Sequence, residues 1–164
     1  MATDAADLTP TTAPNAVTGV SDRLWSSVLA QEIPFLLARS RAVTSSEANR
    51  RLAEVDLKVR TYSVLSLACS GMKPSQRELC DFLDLDPSQV VALVDELQNR
   101  GAVLREADPK DRRSRLIVGT PAGRRLLRRA TALTDKATQH TLNPLDPQEQ
   151  EVLRDLLTRV CFQS

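Results

Sequence analysis

Large apolar residues recur along most of this chain at spacings of three and four, the signature of helices with one buried face. The pattern begins at Ser21, where Leu24, Val28, Leu29 and Ile33 share a stripe. Pro34 either kinks that helix or opens a new one at its first position. Phe35, Leu36 and Leu37 carry the apolar face on to about Thr44. A polar stretch, residues 45–51, then leads into Leu52, Val55 and Leu57. A further helix is predicted over residues 59–70, with Tyr62, Leu65 and Cys69 along one side and Gly71 as its break.

Two short helices with clear starts follow. Ser75 with Glu78 three residues on forms a capping box that opens a helix to about Leu83. Asp86 caps the next, with Pro87 at its first position; Val90, Leu93, Val94 and Leu97 mark the buried face and Gly101 ends it. The link, Asp84-Leu85-Asp86, is so tight that the pair reads as a helix-turn-helix. After Gly101 the period changes. Residues 102–106 and 114–118 are strand candidates, and the polar run 108–113 between them makes a β-hairpin, or wing. Thr120 and Pro121 start a long helix carrying Leu126, Leu127, Ala130, Leu133 and Ala137, which stops near Asn143 and Pro144. The last helix opens at Asp146 and Pro147, with Glu149 completing its box, and carries Leu153, Leu156, Leu157 and Val160.

The fold class is therefore mainly α with a small β-hairpin wing (α+β): a winged helix-turn-helix between N- and C-terminal helices. Residues 1–20, rich in Thr, Ala, Pro and Asp, offer too little to bury to offset the entropy of ordering, and are expected to form a flexible tail. With 164 residues the chain suits one compact domain plus that tail, and 3% aromatic content requires an aliphatic core.

Composition excludes more than it selects. The three cysteines are widely spaced without a CxxC pair, and there is a single histidine, His140, so neither a disulfide framework nor a metal centre is expected. No Ser/His/Asp set, glycine-rich phosphate loop or HExxH is present; neither an enzyme nor a cofactor is indicated. Residues 1–20 lack the basic start and apolar run of a secretory signal, and no segment reaches the roughly 20 apolar residues of a membrane span. A soluble, cytoplasmic protein with no membrane partner is expected.

Net charge is only +1, but the charges are unevenly placed. Lys110, Arg112, Arg113 and Arg115 crowd the wing against Asp108 and Asp111, which suits phosphate contact and a narrow minor groove. Arg124, Arg125, Arg128 and Arg129 follow on the long helix, where surface arginines also serve solubility or a dimer interface. The second helix of the motif exposes Ser88, Gln89, Val91, Ala92, Asp95 and Gln98. Glutamine matches an adenine edge, serine a phosphate or base, and Val91 or Ala92 a thymine methyl. Ser75 and Arg77 complete the candidate DNA contacts, with Lys73 adding charge. Asp95 and Glu96 make the reading face partly acidic, so a winged-helix module that binds protein and not DNA is one alternative. The cysteines suggest another, a redox-responsive regulator, although Cys69 and Cys80 lie on apolar faces where thiols pack as small hydrophobes.

The ordered series Gln76-Arg77-Glu78-Leu79, residues 83–90, residues 93–97, Arg100-Gly101, Asp108-Pro109-Lys110-Asp111-Arg112-Arg113-Ser114-Arg115 and Thr120-Pro121-Ala122-Gly123 resembles the MarR family of transcriptional regulators over about residues 57–127. The resemblance implies a homodimer with residues 21–57 and 120–164 as dimerisation helices and residues 58–119 as the DNA-binding lobe. It implies double-stranded DNA as partner, read as a pseudo-palindrome, and a repressor released by a small phenolic or aromatic effector. Asp111 would orient Arg113 while Arg112 or Arg113 enters the minor groove. Phe35, Arg39, Tyr62 and Leu65 would line the effector pocket. Ala92 and Glu96 depart from the basic residues common at those positions. The absence of any cysteine before Cys69 departs from the peroxide-sensing branch.

Overall fold

The computed structural model describes residues 22–111 and 114–162. The tail expected over residues 1–20 and the wing-tip pair Arg112 and Arg113 lie outside them. The elements are α1 (Asp22–Trp25), a 3-10 turn (Val28–Gln31), α2 (Ile33–Leu52), a 3-10 turn (Ala53–Val55), α3 (Val59–Cys69), α4 (Gln76–Leu83), α5 (Pro87–Asn99), β1 (Val103–Ala107), β2 (Arg115–Gly119), α6 (Pro121–Thr141) and α7 (Pro147–Cys161). The chain divides into two compact units, residues 38–143 and residues 1–37 with 144–164.

The larger unit holds the core. Leu52, Val64, Leu65, Leu79, Val90, Val94, Leu97 and Ile117 are fully buried, an aliphatic set as the composition requires. Each such Val, Leu or Ile side chain removed from water contributes about 1.5–3 kcal/mol. Val90, Val94 and Leu97 recur at four and three, so α5 turns one stripe inward and leaves the opposite face outside. β1 and β2 pair antiparallel, Val103 opposite Gly119 and Arg105 opposite Ile117. The hairpin gains a third member that the sequence did not announce. Ser75 bridges Leu116, and Ile117 N–H donates to the Pro74 carbonyl at 2.8 Å, tying the α3–α4 link to the wing.

The helix whose apolar face reaches about Thr44 runs on through the polar stretch to Leu52. Glu47 explains the continuation. It accepts from Arg50 Nε and Nη2 at 2.8 and 2.7 Å, and from Arg51 Nε at 2.6 Å, pairs three and four residues apart that stabilise a helix. The hydrogen bond from Arg50 leads the effects that lower the Glu47 carboxyl from its ordinary 4.5 to about 2. Asn49 also serves the fold, its Oδ1 accepting from the Val59 N–H at 2.9 Å at the start of α3.

In the smaller unit the first helical pattern is interrupted. Ser26 and Ser27 hydroxyls donate to the Arg23 and Leu24 carbonyls at 2.8 and 2.7 Å, a local competition with helix bonding. Ser27 and Glu32 are extended. A new helix then starts at Ile33 with Pro34 in its first turn, where a missing N–H goes unfelt. α7 starts as expected: Asp146 Oδ1 accepts from Gln148 and Glu149 N–H at 2.8 and 2.9 Å, and Glu149 accepts from Asp146 N–H at 2.8 Å. None of its residues is buried. Among the described residues no helix is long and apolar enough to cross a membrane.

Candidate nucleic-acid interface

Local chemistry fixes the two helices of the motif. Ser75 Oγ accepts from Glu78 N–H at 3.2 Å and donates to Glu78 Oε2 at 2.7 Å, while its own N–H donates to the same carboxylate. Those bonds from the Ser75 backbone and hydroxyl lower the Glu78 carboxyl below its ordinary value. Ser75 is thus engaged at the cap of α4. Asp84 takes a left-handed conformation, φ +51°, and lets the chain reverse into α5 with Leu85 N–H bonded to the Cys80 carbonyl at 3.1 Å.

On α5 the outward face carries Ser88, Val91, Ala92, Asp95 and Gln98, all exposed as predicted. Gln89 is half-buried, and its Oε1 accepts from Asp86 N–H at 3.3 Å. That bond uses one of the two lone pairs of its amide oxygen and leaves both amide N–H groups to offer.

The acidic pair is not one feature. Asp95 accepts from Arg105 Nη2 at 2.6 Å, and Gln98 Oε1 accepts from Arg105 Nη1. Glu96 lies about 100° further round the helix, beside Thr61, whose Oγ1 donates to it at 3.4 Å. The outward face therefore holds one carboxylate, already paired. Sequence reasoning missed Arg105 because its partners stand seven and ten residues back on another element.

The wing places Lys110, Asp111 and Arg115 in solvent. Asp108 Oδ1 accepts from Lys110 N–H at 2.8 Å, and the Asp111 carbonyl accepts from Ser114 N–H at 2.9 Å, turns that hold the loop. Lys73 spends its charge on the hairpin, 3.0 Å from Glu106, and Arg77 is almost wholly exposed with Asp81 at 3.8 Å. Arg124 reaches back to the Gly119 carbonyl at 2.8 Å and closes the end of β2.

Of the four residues expected around an effector, Phe35 belongs to the smaller unit, and Arg39, Tyr62 and Leu65 belong to the larger. Leu65 is sealed in the core, and the half-buried Tyr62 places its hydroxyl 3.4 Å from Thr131 Oγ1. In the larger unit an open cleft of about 1260 Å³ lies beside α2, α3 and α5, with Arg41, Asn49, Lys58, Arg60, Thr61 and Glu96 among its lining. At its edge Arg100 donates to the backbone carbonyls of Asp56 and, at 2.8 Å, Val55. Burial pushes the Cys69 thiol up against the pull of Arg124, the reverse of an activated sensor thiol.

Comparison with known proteins agrees with this architecture. The sequence model of the MarR family matches residues 56–114. A MarR-family transcriptional regulator from Rhodococcus sp. RHA1 is 39% identical with TM-score 0.80, over 85% of this chain and 99% of that one. CouR from Rhodococcus jostii RHA1, solved with p-coumaroyl-CoA, is 37% identical with TM-score 0.77, over 85% and 98%. A transcriptional repressor CouR bound to a 23-mer DNA duplex is 26% identical with TM-score 0.75, over 82% and 95%. A putative transcriptional regulatory protein for the hcr operon of Thauera aromatica is 26% identical over 133 residues, 80% of each chain.

Proposed function

This chain belongs to the MarR family of transcriptional regulators, and on that premise we propose that it acts as a homodimeric repressor released from DNA by a phenolic aromatic effector. The observation that carries the reading is the outward face of α5, uncovered and set beside a basic wing. Ser88, Gln89, Val91, Ala92 and Asp95 would enter a major groove. Lys110, Arg112, Arg113 and Arg115 would follow the backbone into the minor groove, with Asp111 orienting Arg113, and Arg77 would meet a phosphate.

Dimerisation is supported by apolar side chains that a lone chain leaves in water. Leu24, Val28, Leu29 and Ile33 are 53–79% exposed, and Val152, Leu156 and Val160 are 49–58% exposed. Exposed large apolar groups gathered on terminal helices mark an association surface. Leu156→Asp with Val160→Asp is expected to turn the dimer into a monomer, read by sedimentation velocity. A double variant that still sediments as a dimer would remove α7 from the interface.

The effector is placed in the cleft with Arg41, Asn49, Lys58, Arg60, Thr61 and Glu96, in preference to Phe35, Arg39, Tyr62 and Leu65. The cleft is coupled to the reading helix, since Glu96 lies on α5 and Arg100 ties the end of that helix to the Val55 and Asp56 carbonyls. A ligand that prefers one setting of these contacts shifts the population of DNA-competent dimers. The ligand solved with CouR, 37% identical to this chain, suggests the class of effector. Titration of the protein–DNA complex with p-coumaroyl-CoA and with p-coumarate tests this. Release of DNA by either is expected, and retention at saturating concentrations of both would overturn the effector class. Cytoplasmic action follows from the role.

A further inference from the structure

Thr61 is the one buried polar residue among the described residues, 2% exposed, and it lines the cleft beside α2, α3 and α5. On the same helix Ser63 bonds the Val59 carbonyl at 3.0 Å, the ordinary way for a helical hydroxyl to satisfy itself. The Thr61 hydroxyl is spent differently. It donates to Glu96 Oε2 on α5 at 3.4 Å, long against the roughly 2.7–2.8 Å usual between two oxygens. The other carboxylate oxygen, Oε1, lies 4.0 Å from Arg100 Nη1, too far for a hydrogen bond.

What this pair presents to the cleft is lone pairs. A threonine hydroxyl has one proton and two acceptor positions, and a carboxylate only accepts. With the single proton turned to Glu96, both residues are short of a donor, and the Thr61 oxygen is short of one where water scarcely reaches. A buried polar group left short of partners costs free energy that a well-placed ligand bond recovers. Leu57, Val59, Leu85 and Leu93 supply apolar lining to the same cleft. Apolar walls with a few placed polar groups are what hold and orient a small ligand. The group that fits is a hydroxyl on an apolar body, donating its proton to the pair. Because Glu96 belongs to α5, that bond acts on the reading helix itself.

We propose that Thr61 and Glu96 are the specificity-determining pair of the cleft, the two side chains that recognise the phenolic hydroxyl of the effector. This rests on the effector reading above, which gives the class of ligand but no residue for its hydroxyl. The test compares p-coumaroyl-CoA with cinnamoyl-CoA, and p-coumarate with cinnamate, each pair differing only by that hydroxyl. Binding is measured by isothermal titration calorimetry on the full-length protein and on its Thr61→Val and Glu96→Ala variants, with thermal melting as a check on folding. In whichever pair binds, wild type is expected to hold the hydroxylated ligand about 10–100-fold more tightly, the range for a hydrogen bond to a charged group. Glu96→Ala should bring that ratio to within about 2-fold of unity, and Thr61→Val should reduce it by at least about 3-fold. A variant that merely loosened the fold would weaken both ligands alike and leave the ratio unchanged. If wild type binds both members of a pair equally, or if either variant keeps the full wild-type ratio, this inference is overturned and the effector reading stands. If wild type binds none of the four ligands, both fall together.

Discussion

Gly123→Ala is expected to destabilise the protein by about 3 kcal/mol, lowering the melting temperature by roughly 6–12 °C. In most helix interiors the same change stabilises by about 0.5–1 kcal/mol, so the sign alone is diagnostic. A Cβ at position 123 would lie 1.9 Å from the Ala102 carbonyl oxygen. That oxygen has nowhere to go. It accepts from Thr120 N–H at 3.0 Å and from Thr120 Oγ1 at 3.2 Å, while Thr120 Oγ1 accepts from Gly123 N–H at 3.0 Å. Thr120-Pro121-Ala122-Gly123 is therefore a splice. It caps α6, starts it with proline, and lets the first turn press against the backbone entering β1. Calorimetry or a thermal melt monitored by circular dichroism checks the effect. An unchanged or raised melting temperature would mean that α6 does not approach Ala102 so closely.

The second large effect concerns DNA. Arg112→Ala with Arg113→Ala is expected to weaken operator binding about 100-fold at moderate salt, and to reduce the slope of log affinity against log salt by about 2. Both residues lie between Lys110 and Arg115 in the sequence, opposed there by Asp108 and Asp111. Because phosphate and minor-groove contacts carry little base information, the loss should be nearly uniform across operator variants. Fluorescence anisotropy over a salt series, on the operator and its variants, checks both. A double variant with wild-type slope would assign the electrostatic work to other residues.

How far the sequence carried depended on whether an element declared itself locally. The helix-turn-helix was readable because its signals are short-range. Ser75 with Glu78, Asp86 with Pro87, and Val90, Val94 and Leu97 at helical spacing place α4 and α5 nearly where they stand. The starts of α6 and α7 were equally plain, each a capping side chain followed by proline. Residues 45–51 carried no apolar stripe to mark them, whereas Glu47 bonded to Arg50 and Arg51 makes that polar stretch part of α2. The third member of the wing, a single bridge from Ser75 to Leu116, leaves no periodic trace. Within the site, the outward residues of α5 were legible from its buried stripe, but their partners were not. Asp95 read as a repulsive charge until Arg105 was placed beside it, and Glu96 read as its neighbour although it faces the cleft. The cleft left no such signal, since its lining comes from elements distant in sequence.

As the proposed repressor, this protein binds DNA with sequence preference. The affinity of the wild-type protein for the DNA flanking its own gene, against a random duplex of equal length, over a salt series, measures that preference. A preference of at least about 1000-fold, with both affinities falling steeply as salt rises, is expected. Equal affinity for the two duplexes at every salt concentration, or no binding to either at low salt, would contradict it.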